Sequence, residues 1–216
     1  MSETKTVVVD MDGVLLDVHP LLEKLLCEKG YKFSMQNVLT YDFNKSLKNP
    51  PASLVSLGFG KKTNYLGIKR DDIYSLFNSP SLFMDSPFYA KAILRLKELC
   101  KTRGVHVIIW TEASNDRVKN TKKCMLESVL AGYDYEFCCS VGESKKAVED
   151  ADYVIDDSPF ALDLYKSSKC KKFLVDKPYN KAKYNEKNVS YTGFTVIKDA
   201  GDALFQIESA VKLGCA

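Results

Sequence analysis

Two pairs of acids stand at the ends of short apolar runs. Asp10 and Asp12 follow Thr6-Val7-Val8-Val9 and lead into Gly13, and Asp156-Asp157 follow Tyr153-Val154-Ile155. Side chains alternate along an extended backbone, which puts Asp10 and Asp12 on one side of the chain. Two carboxylates brought that close repel unless a cation or a shared proton relieves them. Thr111 closes a third apolar run, Val107-Ile108-Ile109-Trp110, and Lys145-Lys146 stand upstream of the run that ends in Asp156. Acids, a hydroxyl and an ammonium group in this arrangement suit ligation of a hard cation, nucleophilic attack and neutralisation of an anion. Each also has a plain structural reading. Asp before Gly is ordinary turn chemistry, and Asp157 could cap a helix opening at Pro159.

The elements that carry these residues decide between the readings. Three consecutive valines make a stiff strand of the kind buried in parallel sheets. A helix is expected from His19 to Gly30, with Pro20 at its start, Leu21, Leu22, Leu25 and Leu26 in one stripe, and Gly30 as terminator. Ser86-Pro87 opens a helix to about Arg103, with Tyr89, Ile93, Leu96 and Cys100 on one face. Val105–Trp110 is the second strand, Asn115–Leu130 a long helix ending at Gly132, and Phe137–Val141 the third strand. A helix around Lys145–Glu149 precedes the fourth strand, Tyr153–Ile155; Pro159 opens another helix, Phe173–Val175 is the fifth strand, and Asp199–Leu213 is helical. This alternation predicts an α/β fold with a doubly wound parallel sheet. Parallel strands deliver Asp10, Asp12, Thr111, Asp156 and Asp157 to one edge of that sheet, where open α/β sheets bind ligands.

Composition narrows the class. The chain of 216 residues is 45% hydrophobic and 27% charged, with a formal net charge of +3, so bulk electrostatics gives no reason to expect a stable nucleic-acid partner. No apolar run reaches the roughly 20 residues that span a bilayer, and the N-terminus does not read as a signal peptide. Seven cysteines without a CxxC pair, and only His19 and His106, argue against a zinc site and for reduced thiols, so a cytoplasmic setting is expected. Oligomeric state is left open.

Asp10-Met11-Asp12-Gly13-Val14-Leu15, Thr111, Lys146 and Asp156-Asp157 resemble, in order and context, the four signature motifs of the haloacid dehalogenase (HAD) superfamily. The resemblance runs over the whole chain and implies a HAD-like core at residues 1–17 and 84–216. It further implies phosphoryl transfer, in which Asp10 is the nucleophile and Mg²⁺ the cofactor. Its ligands would be the Asp10 carboxylate, the main-chain carbonyl of Asp12, and Asp156, with Asp157 holding a metal-bound water. Thr111 would bind a phosphate oxygen, and Lys146, or its neighbour Lys145, would supply a fixed positive charge. Lys146 is favoured on its spacing to Asp156. Asp12 implies a phosphatase that turns over, since it can protonate the leaving group and then activate water.

About a hundred residues separate Asp12 from Thr111. The resemblance implies that residues 18–83 form a small helical cap of the C1 type, rich in aromatics that either stack on a substrate or fill the core of the cap. Short helical pieces are expected at Leu54–Leu57 and Asp71–Phe77. Among capped enzymes the chain looks most like the 5'(3')-deoxyribonucleotidases, through Asp10–Asp17, Phe83–Pro87 and Val175–Asn180. Val18 stands where that family has an aromatic, and Glu112 follows Thr111 where it has Ser; both fall among the expected substrate contacts. The expected function is hydrolysis of a small phosphorylated substrate, a (deoxy)nucleoside monophosphate. The alternatives are a sugar phosphate or other metabolite, or a non-catalytic nucleotide- or partner-binding protein. Gly58–Thr63 fails as a P-loop for want of a leading strand and glycine, and Lys119–Lys123 and Lys166–Lys172 read as solvated helix faces.

Overall fold

A computed structural model describes residues 4–31, 33–38, 70–167, 169–180 and 193–214. Strands β1 (Lys5–Val9), β2 (Val105–Ala113), β3 (Glu136–Val141), β4 (Tyr153–Asp156), β5 (Lys171–Val175) and β6 (Thr195–Ile197) form one sheet in the order β3-β2-β1-β4-β5-β6. Every adjacent pair is parallel. The α/β parallel architecture expected from the alternation is therefore present, with a sixth strand added at one edge. The short Thr195–Ile197 segment buries only Ile197, so it carries too little apolar pattern to announce itself.

The valine run shows why the sheet is covered on both sides. Val7 and Val9 enter the large core with Val107, Ile109 and Ile155, whereas Val8 joins Ile108, Val154, Leu162 and Leu174 in a second cluster. Alternation sends successive β1 side chains to opposite faces. The large core also takes Leu22 and Leu26 from α1 (His19–Glu28), Ile73 and Leu76 from α2 (Arg70–Phe77), and Leu82 and Phe83 from α3 (Pro80–Met84). Helices α4 (Ala90–Cys100) and α7 (Ala200–Lys212) pack together, and α5 (Asp116–Val129) packs on α3. Helix α6 (Pro159–Leu162) follows β4. Gly30 lies just past α1 at φ 89°, a backbone that a Cβ would disfavour, so its terminator role holds.

Three expectations change. The helix expected from Ser86 begins at Ala90, because Phe88 bridges Leu16 and the Tyr89 N–H donates to the Leu15 carbonyl, which keeps residues 87–89 out of the helix. Lys145–Glu149 is irregular, not helical. The Lys145 N–H is committed to the Glu112 carboxylate, and Asp150 turns the chain at φ 58°. The described residues of Lys166–Lys172 are loop running into β5, not a helix face. Within the segment 18–83, the described residues form α1, a 3₁₀ turn at Met35–Asn37, α2 and α3, while Leu54–Leu57 and Gly58–Thr63 lie outside the described residues. No helix among the described residues is long and apolar enough to cross a membrane.

The ends of β4 and β5 are tied by one amide. Asn180, 1% exposed, donates through Nδ2 to the Asp157 carbonyl at 2.9 Å and the Val175 carbonyl at 2.7 Å, and accepts from the Lys177 N–H at 3.1 Å. Removing it leaves buried backbone groups without partners. Asn180→Ala is expected to lower the unfolding free energy by about 2–4 kcal/mol in urea denaturation; an unchanged midpoint would contradict the clamp.

Candidate active site

The chain builds β1, β2 and β3 outward on one side, then returns to place β4 on the other side of β1. This reversal opens a crevice between the carboxyl ends of β1 and β4. Asp10 follows β1 directly, its N–H donating to the Ile155 carbonyl at 2.9 Å, and Asp156 ends β4. One oxygen from each of Asp10, Asp156 and Asp157 lies within 4.8 Å of the others, and all three residues are buried. Three hard oxygen donors so close fit a divalent cation such as Mg²⁺.

Lys145 meets this cluster. Its Nζ donates to Asp10 Oδ1 and, at 3.1 Å, to Asp156 Oδ2. Lys146 is exposed, and its side chain makes neither contact. The favoured Lys146 is therefore displaced by Lys145. The segment that follows β3 is irregular, so spacing to Asp156 along the sequence does not decide which of two adjacent lysines reaches the acids. Asp156 is further fixed by the Ser158 N–H on Oδ1 at 2.7 Å. Ser158, not Asp157, caps α6, its Oγ accepting from the Ala161 N–H.

Asp12 takes a different partner. Residues 11–16 turn tightly, with the Leu15 and Leu16 N–H groups on the Met11 carbonyl and the Gly13 N–H on the Leu16 carbonyl. Asp12 leaves this turn toward Lys122, whose Nζ donates to Asp12 Oδ2, to Thr111 Oγ1 at 3.0 Å and to the Glu112 carbonyl at 2.6 Å. The Asp12 side chain thus stands apart from the three-carboxylate cluster. Thr111 lies inside β2, whose last residues, Thr111–Ala113, extend past the expected end of the strand. Lys122 corrects the reading of Lys119–Lys123 as a solvated face, since its side chain is only 1% exposed. A signal for it exists in the sequence. Val118, Lys122 and Leu126 recur at intervals of four and are the buried residues of α5, so this lysine interrupts an apolar stripe.

A supporting layer stands behind Asp157. The Tyr179 hydroxyl donates to Asp157 Oδ2, and His19 packs on the Tyr179 ring at 5.2 Å between centroids. His19 Nδ1 lies 3.5 Å from Asp17 Oδ1. Gly13 sits against this carboxylate at φ 76°, and a Cβ there would fall 2.2 Å from Asp157 Oδ2. The turn after β1 therefore requires glycine for both backbone and space. The Glu112 carboxylate accepts the Lys145 N–H at 2.9 Å and also lines the cleft. Val18 is 2% exposed and lines the cleft above the acids without offering a ring.

Burial dominates the electrostatics. It pushes the Asp10 carboxyl well above the usual range; Lys145 opposes this, and Asp156, Asp157 and Asp12 add to it. Asp157 is pushed up to about 6 by burial and then by Asp156, against the Tyr179 hydrogen bond. Burial opposes the charge on Lys145, but Asp10 and Asp156 outweigh it and hold the ammonium form above its ordinary range.

No model of a known protein family matches the chain, and no curated protein matches it. Solved structures do. A candidate haloacid dehalogenase-like hydrolase from Burkholderia xenovorans superposes with a TM-score of 0.55 at 13% identity, over 97% of this chain and 99% of that one. A candidate β-phosphoglucomutase from Bacteroides vulgatus gives 0.50 at 13% identity, over 97% and 90%. At such identity the likeness concerns the backbone: this chain has the fold of HAD-like hydrolases.

The acids set the sign of a pH dependence. Asp157 sits near 6 when folded, against about 4 in an unfolded chain. The folded protein therefore binds the proton more tightly, and this group's contribution is full below about pH 4 and lost as pH rises through about 6, a change of order 2–3 kcal/mol. Asp10 acts in the same direction. A divalent cation held by these acids would compete with those protons, so any stabilisation of the fold by Mg²⁺, measured as the difference in unfolding free energy between Mg²⁺ and chelator, is expected to grow between about pH 5 and pH 7. Equal stabilisation at both would contradict the assignment. Gly13→Ala is expected to weaken Mg²⁺ binding by about 10–100-fold in titration calorimetry by displacing Asp157; undiminished affinity would show that the close approach has no bearing on the metal.

Proposed function

We propose that this protein is a Mg²⁺-dependent phosphomonoesterase of the HAD superfamily, acting on a small phosphorylated metabolite, with a (deoxy)nucleoside monophosphate as the substrate class. The observation that carries the reading is the convergence of Asp10, Asp156, Asp157 and Lys145 at the β1/β4 crevice, beside an Asp12 held apart from them. Within the set Asp10, Asp12, Asp156 and Asp157 four carboxylates are met by two ammonium groups, Lys122 and Lys145, a formal deficit that one divalent cation would balance.

In this reading the Asp10 and Asp156 carboxylates and the Asp12 main-chain carbonyl would hold the ion, with Asp157 beside them. The bound ion supplies the charge neutralisation that lets a carboxylate approach an anionic phosphate. Asp10 attacks phosphorus, a bond forms from its oxygen, and the ester P–O bond breaks. Asp12 gives its proton to the departing oxygen. It then takes a proton from the water that attacks the aspartyl-phosphate, which releases phosphate and restores both acids. Thr111 donates its hydroxyl to a phosphate oxygen, and Lys145 offsets negative charge beside the nucleophile.

The substrate class rests on the cleft over these acids, which measures about 670 Å³ and falls within the range of small-molecule sites. Its wall carries Tyr74 and Phe77 from α2, Phe83 from α3 and Phe160 from α6. Tyr74 and Phe160 are about half exposed, and aromatic side chains in such a wall suit a substrate that carries a planar base. We assign residues 18–83 as the cap that brings α2 and α3 over the site. The described cysteines are all free thiols, which suits a cytoplasmic, reducing setting.

A panel of nucleoside monophosphates and sugar phosphates, assayed for phosphate release with Mg²⁺ and with chelator, tests the proposal. Nucleotides are expected to be the better substrates, with activity lost in chelator and in Asp10→Asn. Full activity in that variant would remove Asp10 as nucleophile, and equal rates across the panel would move the assignment to a broad metabolite phosphatase.

A further inference from the structure

Lys122 has no part in the mechanism above, yet it is among the most deeply buried side chains of the protein. An ammonium group has three N–H donors. Lys122 spends them on three protein acceptors: the Asp12 carboxylate, Thr111 Oγ1 at 3.0 Å and the Glu112 carbonyl at 2.6 Å. The Phe83 ring lies 4.4 Å from its Nζ and closes it from water. No donor remains for a phosphate. A cation so saturated acts on its neighbours, not on the substrate.

What it does to Asp12 is asymmetric. Oδ2 is fixed by Lys122, whereas Oδ1 is buried and has no hydrogen-bond partner among the described residues. An unpaired buried carboxylate oxygen is costly and calls for an explanation. Asp12 lines the cleft over the nucleophile and its side chain is 29% exposed, so part of the carboxyl group is open to the reaction space although Oδ1 is closed off in this arrangement. The same ammonium fills one acceptor position of Thr111, which leaves the hydroxyl proton of Thr111 to be donated elsewhere; its in-chain acceptor, the Glu112 carbonyl, is 3.4 Å away.

We infer that Lys122 is a positioning residue that pins Asp12 by one oxygen and thereby sets the orientation in which the Asp12 carboxyl group exchanges protons with the leaving group and with water. The inference rests on the phosphomonoesterase reading and adds to it a residue outside the acid cluster and its supporting layer. The proton that Asp12 gives to the ester oxygen is the one it regains from the attacking water, so the cycle balances without any proton on Lys122.

The test uses leaving groups. An aryl ester such as p-nitrophenyl phosphate departs without needing a proton, whereas the alkoxide of a nucleoside 5'-monophosphate needs one. Single-turnover release of each alcohol, at saturating Mg²⁺, is compared for wild type and Lys122→Met. Release from the nucleotide is expected to slow by about 10²-fold and from the aryl ester by less than about fivefold. In an Asp12→Asn background, Lys122→Met should add no further loss on the nucleotide. Lys122→Gln, which keeps amide donors, supplies the same comparison if methionine at this buried site prevents folding, and Lys122→Arg should recover part of the nucleotide rate. Equal losses on both esters, or additive losses with Asp12→Asn, would overturn the inference and leave Lys122 a structural residue. Wild-type protein inactive on both esters would instead overturn the phosphomonoesterase reading, and this inference with it.

Discussion

The structure depends on holding like charges together at the edge of a parallel sheet. Asp10, Asp156 and Asp157 are buried with oxygens within 4.8 Å of one another, an arrangement that Coulomb repulsion and desolvation both oppose. The protein relieves it with short-range devices: Lys145 between Asp10 and Asp156, the Ser158 N–H on Asp156, and the Tyr179 hydroxyl on Asp157. These do not offset burial and repulsion in full, and the carboxyl groups of Asp10 and Asp157 stay raised, first by burial and then by their neighbouring acids. A site left short of positive charge is one prepared for a cation and an anion together.

Lys145 and Lys122 divide the edge into two compartments. Lys145 serves the acids that fit a metal and a nucleophile; Lys122 serves the acid that fits a proton shuttle. The backbone enforces the division. Gly13 turns the chain between Asp10 and the helix α1 at a point where no side chain could stand beside Asp157. Asp12 is thereby aimed across β2 toward α5, while Asp10 remains in line with the end of β1.

Much of this was legible in the residues. The acids of β1 and β4 could be read because each follows a short apolar run, and parallel pairing carries both runs to one edge. Lys145 is harder to place, because a flexible four-carbon side chain can reach the acids from either of two adjacent positions, and its segment is irregular where the sequence predicts a helix. Lys122 was missed because a lysine among Lys119 and Lys123 looks solvated; only its place between Val118 and Leu126 shows that it faces the core. β6 escaped for the opposite reason, being too short and too exposed to leave a period-two pattern. The expected roles of Asp10, Asp12 and Thr111 came from resemblance as well as spacing, and what the structure adds is which groups touch.

Trapping the covalent intermediate tests the central claim most directly. Protein mixed with Mg²⁺ and a nucleoside monophosphate radiolabelled at phosphorus, quenched in acid within a turnover and digested, should carry label on one peptide. The account predicts a Mg²⁺-dependent phosphoryl group on Asp10 in the segment Thr6–Leu15. Label on another residue, or none at times when phosphate is being released, would contradict it.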